Sequence, residues 1–240
     1  MAGAASCHHG PVKDFWRRRW WLPVGLAAWA VLLAALGVAS HRDDEPTVRE
    51  QRSLAQALPV VDEAVGRLVA GAGDSAVPVI LPRRIEHGCR ITPMRDGAAA
   101  TVTVNFYTDD GAGLLRRIGA SLPPAYRVDA MTGAVDADAG EFVAVRGRLP
   151  ATGEVRFTVS TGCRPADVAA DAPTSASAPC PGGGFARTES AAQRDSAAAP
   201  PGVKVVRTDN AVAYRRPDGV AVAVVTASDG SARVYETRSC

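Results

Sequence analysis

The sequence predicts an α+β protein: an N-terminal transmembrane helix, then helices packed on a mainly antiparallel sheet, then a small C-terminal β-meander. Three observations predict it. An uncharged apolar run, Leu22 to Val38, follows directly on Arg17, Arg18 and Arg19. Beyond it, apolar residues recur at helical spacing in two stretches and alternate with polar ones in several others. Four of the five cysteines, Cys89, Cys163, Cys180 and Cys240, lie on the far side of that run.

With Trp20 and Trp21 the run reaches about 19 residues, which at 1.5 Å per residue matches a hydrocarbon core of roughly 30 Å. Lys13 and the three arginines precede it, so the N-terminus stays in the cytoplasm by the positive-inside rule. Trp20 and Trp21 fall where interfacial aromatics are favoured, and Pro23 falls in the first turn, where a missing N–H costs little. A cleaved signal is the rival reading, with small residues at Gly37-Val38-Ala39, as is a twin-arginine signal over Arg18-Arg19-Trp20-Trp21-Leu22. The apolar run exceeds the usual signal core of about 7 to 15 residues, which favours an anchor. In every version the remainder is exported. The organisation expected is a cytoplasmic tail over 1–19, a transmembrane helix over 20–39 and a juxtamembrane spacer over 40–46. An extracytoplasmic α+β domain over 47–165, a linker over 166–201 and a β-meander over 202–240 follow.

Net charge is only +2 over 240 residues, and no basic stripe interleaved with aromatics appears, which excludes a nucleic-acid-binding reading. Four exported cysteines are an even number in an oxidising compartment and imply two disulfides, with three connectivities open.

Leu54, Leu58, Val61, Val65 and Leu68 recur at alternating steps of four and three, the stripe of a helix with one buried face. Pro59 either kinks that helix or starts a second, and Gly71 and Gly73 end it. Val79 to Thr92 opens the β-rich part, with Ile85, His87, Cys89 and Ile91 sharing one parity. Asp96-Gly97 reads as a turn, and Thr101 to Tyr107 as a strand with Val102, Val104 and Phe106 inward. Leu114, Leu115, Ile118 and Leu122 mark a short helix closed by Pro123-Pro124. Strands are expected near Tyr126 to Val135, Glu141 to Arg148 and Glu154 to Gly162. In the last of these Val155, Phe157, Val159, Thr161 and Cys163 share a parity, so Cys163 faces the core as Cys89 does. The two are paired on that ground, which leaves Cys180 with Cys240.

Pro165 to Pro201 is rich in Ala, Pro, Ser and Gly and nearly empty of large apolar residues, the composition of a linker. Val203 to Arg238 alternates again, with Pro217-Asp218-Gly219 and Ser228-Asp229-Gly230 as turns. So small a sheet has a marginal core by itself. A bridge from Cys240 to Cys180, or docking on the first domain, would support it.

No catalytic set emerges. His41 is juxtamembrane, and His87, two residues from an oxidised Cys89, reads as a core or near-core histidine rather than a base. Asp136, Asp138 and Glu141 hint at a calcium loop, but the twelfth position of such a loop falls on Gly147, so a solvated acidic turn is expected. Gly182-Gly183-Gly184 lacks the strand before and helix after that a phosphate loop needs. Cys7-His8-His9 lacks the further ligands of a tetrahedral site. Neither a cofactor nor a metal is expected.

The stretches GCRITPMRDG, TVTVNFYTDDG and RGRLPATGEVRFTVSTGCRP, with the anchor placement, resemble uncharacterised single-pass membrane proteins of actinobacteria. The likeness runs from about Arg17 to Pro165 and leaves out the linker and meander. It implies an envelope location and nothing catalytic. The expectation is therefore a non-enzymatic, membrane-anchored binding or structural module of the cell envelope. Its partners would be lipid, through the anchor, and an envelope protein or wall component. The alternatives are an exported hydrolase-like enzyme with a site assembled from scattered Asp, Glu, Ser and Arg residues, or an accessory subunit of an envelope sensor.

Overall fold

The computed structural model describes residues 23–36, 52–166, 176–192 and 199–240. The expected cytoplasmic tail with Cys7-His8-His9, the tryptophans Trp20 and Trp21, the Gly37-Val38-Ala39 stretch and the expected spacer with His41 lie outside the described residues. The chain divides between Glu50 and Gln51 into two units. Of the first, the described part is helix α1, residues 23–36. Its Val24, Leu26, Trp29, Val31, Leu32, Leu33 and Leu36 are all exposed, between 51% and 72%. Among the described residues no helix is long and apolar enough to cross a membrane; at 1.5 Å per residue the described part of α1 measures about 21 Å.

The second unit begins with α2, Leu54–Ala72. A reciprocal cap starts it: the Gln56 N–H donates to Ser53 Oγ and the Ser53 N–H donates to Gln56 Oε1. Pro59 sits inside a single continuous helix, and Gly73, at φ 55°, ends it by sending its N–H back to the Ala70 and Val69 carbonyls. The buried stripe is Leu54, Ala57, Val61, Ala64, Val65, Leu68, Val69 and Ala72.

That stripe packs on a sheet of seven strands among the described residues: β1 Val77–Ile80, β2 Arg84–Thr92, β3 Arg95–Tyr107, β4 Asp129–Met131, β5 Ala134–Asp138, β6 Ala144–Ala151 and β7 Glu154–Ser160. Their order is β1-β3-β7-β6-β5-β4, with β2 also paired to β3. Every pairing is antiparallel. Helix α3, Gly111–Ser121, connects β3 to the β4–β5 hairpin. Its Asp110 cap accepts from the Gly113 N–H at 2.8 Å. Val102, Val104 and Phe106 of β3 and Val155, Phe157 and Val159 of β7 form the core beneath both helices, with Phe106 and Phe157 edge to face at 6.0 Å.

Two local readings are corrected. Asp96-Gly97 lies within β3, and the β2–β3 turn is made by Pro93-Met94 instead. The stretch Tyr126 to Val135 is a 3-10 turn, Pro124–Tyr126, followed by a hairpin around Thr132-Gly133. The proline that opens this turn and the left-handed Arg127, at φ 47°, interrupt the strand that composition favoured.

The larger correction concerns the expected linker. Residues 177–179 and 185–192 form strands β8 and β9. These join β10 Val205–Arg207, β11 Ala211–Arg215, β12 Ala221–Thr226 and β13 Ala232–Arg238 in a sheet of six among the described residues, ordered β10-β11-β12-β13-β9-β8. The meander is therefore the larger part of this sheet, not an isolated one. Ala178 and Ala186 are buried against α2. A Cβ on Gly66 of α2 would stand 1.7 Å from the Pro179 carbonyl oxygen, so helix and strand meet backbone to backbone. Small residues are required there because no room exists for large ones. On its other flank the smaller sheet seats Val206, Ala211, Ala213, Ala221 and Ala223 on Val77, Val79 and Tyr107 of the larger sheet, which leaves β1 buried on both faces.

Disulfides join Cys89 to Cys163 and Cys180 to Cys240, with Cα separations of 5.8 and 5.4 Å. The parity that pointed to the first pair does not itself hold. A bulge at Gly88, φ 79°, puts Cys89 opposite Gly97 rather than in step with Ile85 and His87, and Gly162, φ 65°, separates Cys163 from β7. Both cysteines are half-buried.

Directly after Cys163 comes Arg164, 1% exposed. Its Nε donates to the Thr161 carbonyl, Nη1 to that of Arg52 and Nη2 to that of Glu141, while its backbone exchanges hydrogen bonds with Ala98 of β3.

Two stability outcomes follow. Glycine to alanine inside a helix ordinarily stabilises. Gly66→Ala instead lowers stability by about 1–3 kcal/mol because overpacking against Pro179 dominates, measured by thermal melts. Arg164→Met strips three carbonyls of their donor and costs about 3 kcal/mol or more, measured by denaturant titration.

Candidate functional site

Antiparallel register lays out the outer face of the larger sheet. One rung runs Asp129, Asp136, Arg146, Thr158, Thr103 across β4, β5, β6, β7 and β3. The next runs Met131, Ala134, Arg148, Arg156, Asn105. Alternation that sends apolar side chains inward on these strands sends acids, guanidiniums and hydroxyls outward.

The three acids singled out in the sequence are each engaged by an arginine. Arg148 Nη2 donates to both oxygens of Asp136 at 3.0 Å. Arg127 Nη2 lies 2.6 Å from Asp138, whose other oxygen accepts from the Gly140 N–H at 2.9 Å. Arg52 lies 2.8 Å from Glu141. Asp136 and Asp138 sit on β5 and Glu141 in the loop after it, where Glu141 and Phe142 are both left-handed at φ 54° and 61°. A solvated turn is thus replaced by an ionic lattice on a strand. No group of three or more metal-capable side chains gathers among the described residues. Arg127, Asp129, Asp136, Asp138, Arg146 and Arg148 border an open trough of about 670 Å³. Arg146, at its middle, makes no ion pair among the described residues.

An apolar groove of about 340 Å³ lies beside it, between Leu115 and Arg116 of α3 and Met131 and Val135 of the β4–β5 hairpin. The short strand β4 forms the sheet edge there, and Met131 is 52% exposed. An apolar cleft beside an unpaired edge is suited to receiving an extended chain, not to moving protons.

His87 is exposed on β2, not in or near the core. Its register keeps it in step with Ile85, the bulge following it at Gly88, and Cys89 is held in its bond to Cys163. Gly182-Gly183-Gly184, all at positive φ, form the tip of the β8–β9 hairpin, where the Cys180 N–H donates to the Gly184 carbonyl at 3.0 Å. Arg164 and the left-handed Glu141-Phe142 pair were not read from the sequence. An arginine beside a cysteine carries no pattern that marks it as buried. Burial holds the Arg164 guanidinium below its ordinary value, and the charge of Glu141 opposes that.

At the covered end of the same face, burial first and the Glu154 carboxylate second push the Tyr107 phenol up to about 12.

No protein-family model, curated protein or solved structure matches the chain.

Tyr107 gives a pH prediction. The folded phenol holds its proton while the unfolded one releases it near 10, so the contribution is fully present below about pH 10 and is lost as pH rises through about 12. Alkaline unfolding of wild type therefore shows a loss of stability in that window, and Tyr107→Phe removes that part of it.

Proposed function

We propose that the chain is a membrane-anchored extracytoplasmic binding module of the cell envelope, without catalytic activity. The observation that carries this reading is the apolar surface of α1, whose large side chains are exposed. Such a surface needs an apolar surrounding, and Arg17, Arg18 and Arg19 before the run orient it with the larger unit outside. The two disulfides agree with an oxidising compartment. An apolar groove at a sheet edge and carboxylates held by arginines support binding over hydrolysis. The resemblance to single-pass membrane proteins of actinobacteria points the same way. The partner class is an envelope protein or wall component.

The test uses Met94, 95% exposed at the β2–β3 turn. A Met94→Cys variant in intact cells is labelled by a membrane-impermeant maleimide, whereas Cys7 reacts only after lysis. Protection of position 94 until lysis would end the reading.

A further inference from the structure

On the outward face of the smaller sheet, β9 and β13 set like charges against each other. Arg187 is directly opposite Arg238, and two residues along Glu189 is directly opposite Glu236. Residues opposite one another in an antiparallel pair bring their Cβ atoms to about 4.5–5.5 Å, where like charges destabilise the pair. Sliding the register would not relieve this cheaply, because the rung between is pinned from inside. There Thr188 Oγ1 lies 2.7 Å from Thr237 Oγ1, both buried, and accepts from the Ile80 N–H of β1 at 3.0 Å.

Charges on the neighbouring rung and strand lie within ion-pair reach of three of these four side chains. Arg187 Nε is 3.5 Å from Glu189, and Arg216 Nη1 is 3.4 Å from Glu236. Arg238 makes no ion pair among the described residues. The Nε of Arg216 is shielded from solvent and donates no hydrogen bond; its nearest carboxylate oxygen, on Asp218, is 3.5 Å away. Arg187, Glu189, Arg216, Val220, Glu236 and Arg238 line a cavity of about 300 Å³.

The arrangement offers a cationic rung and an anionic rung two residues apart, about 6.8 Å along the strand. An extended dipeptide separates its terminal ammonium from its carboxylate by much the same length, because it has the same backbone. Guanidiniums pair carboxylates with planar, two-point geometry, which an ammonium cannot offer. We propose that this cavity binds a short zwitterionic peptide, its terminal carboxylate held between Arg187 and Arg238 and its ammonium between Glu189 and Glu236. The assignment deepens the binding reading above and is independent of the anchor, so the Met94 labelling and the experiment below fail separately.

The full chain in detergent is titrated calorimetrically with L-alanyl-L-alanine, with its N-acetyl and C-terminal amide derivatives, and with phosphoethanolamine. Saturable binding of the free dipeptide is expected, with each blocked derivative at least about tenfold weaker. The double variant Arg187→Glu, Glu189→Arg keeps the composition but places opposite charges on each rung. It is expected to melt a few degrees higher than wild type and to lose dipeptide binding. Its melt also reports that it folds. Absence of saturable binding to wild type, equal affinity for the blocked derivatives, or retained binding in the double variant overturns the proposal. Tighter binding of phosphoethanolamine than of the dipeptide also overturns it, in favour of a lipid headgroup.

Discussion

The buried guanidinium of Arg164 is the constraint on which the larger unit depends. It satisfies carbonyls from three places distant in sequence: Arg52 before α2, Glu141 after β5 and Thr161 after β7. Its backbone adds a bridge to Ala98 on β3, and Cys163 beside it is bonded to Cys89 on β2. A charge taken out of water is costly unless its donors are used, and here all three donor nitrogens are. The start of the first core helix, the loop after β5 and the exit of β7 are thereby fixed relative to β3. The left-handed Glu141-Phe142 pair, a costly conformation for side chains with a Cβ, persists where this hydrogen bond holds it.

Much of the architecture was legible in the sequence because it rests on period and punctuation. The stripe of α2, the inward positions of β3 and β7, the short α3 and the turns at Pro217 to Gly219 and Ser228 to Gly230 all follow from spacing and from residues with restricted backbones. The failures have a common cause. Composition treats small residues as absence of structure, whereas Gly66, Ala178 and Ala186 are small because two backbones touch there. Alternation treats a strand as uniform, whereas a single inserted glycine at position 88 put Cys89 out of phase with Ile85 and His87.

The charged faces were legible only as composition. Asp136, Asp138 and Glu141 are close in sequence, which suggested a shared ion. The partners that decide their chemistry, Arg148, Arg127 and Arg52, come from other elements and are brought in by pairing register or by loop geometry. The same holds for Arg187 and Arg238, fifty-one positions apart and adjacent in space. Surface pairs of this kind contribute little to stability, typically about 0–1 kcal/mol. The arrangement of charge on these sheets is therefore free to serve recognition.

The strand order of the smaller sheet also dictates a schedule. β9 has β8 on one side and β13 on the other, and β13 begins forty residues after β9 ends. While the ribosome is still making that interval, β9 has one ladder open and the glycine-bearing flank of α2 has only a loose hairpin to lean on. The larger sheet can close as soon as Ser160 has emerged; the smaller cannot, and a nascent chain paused in that interval would present an unmatched strand to any passing neighbour.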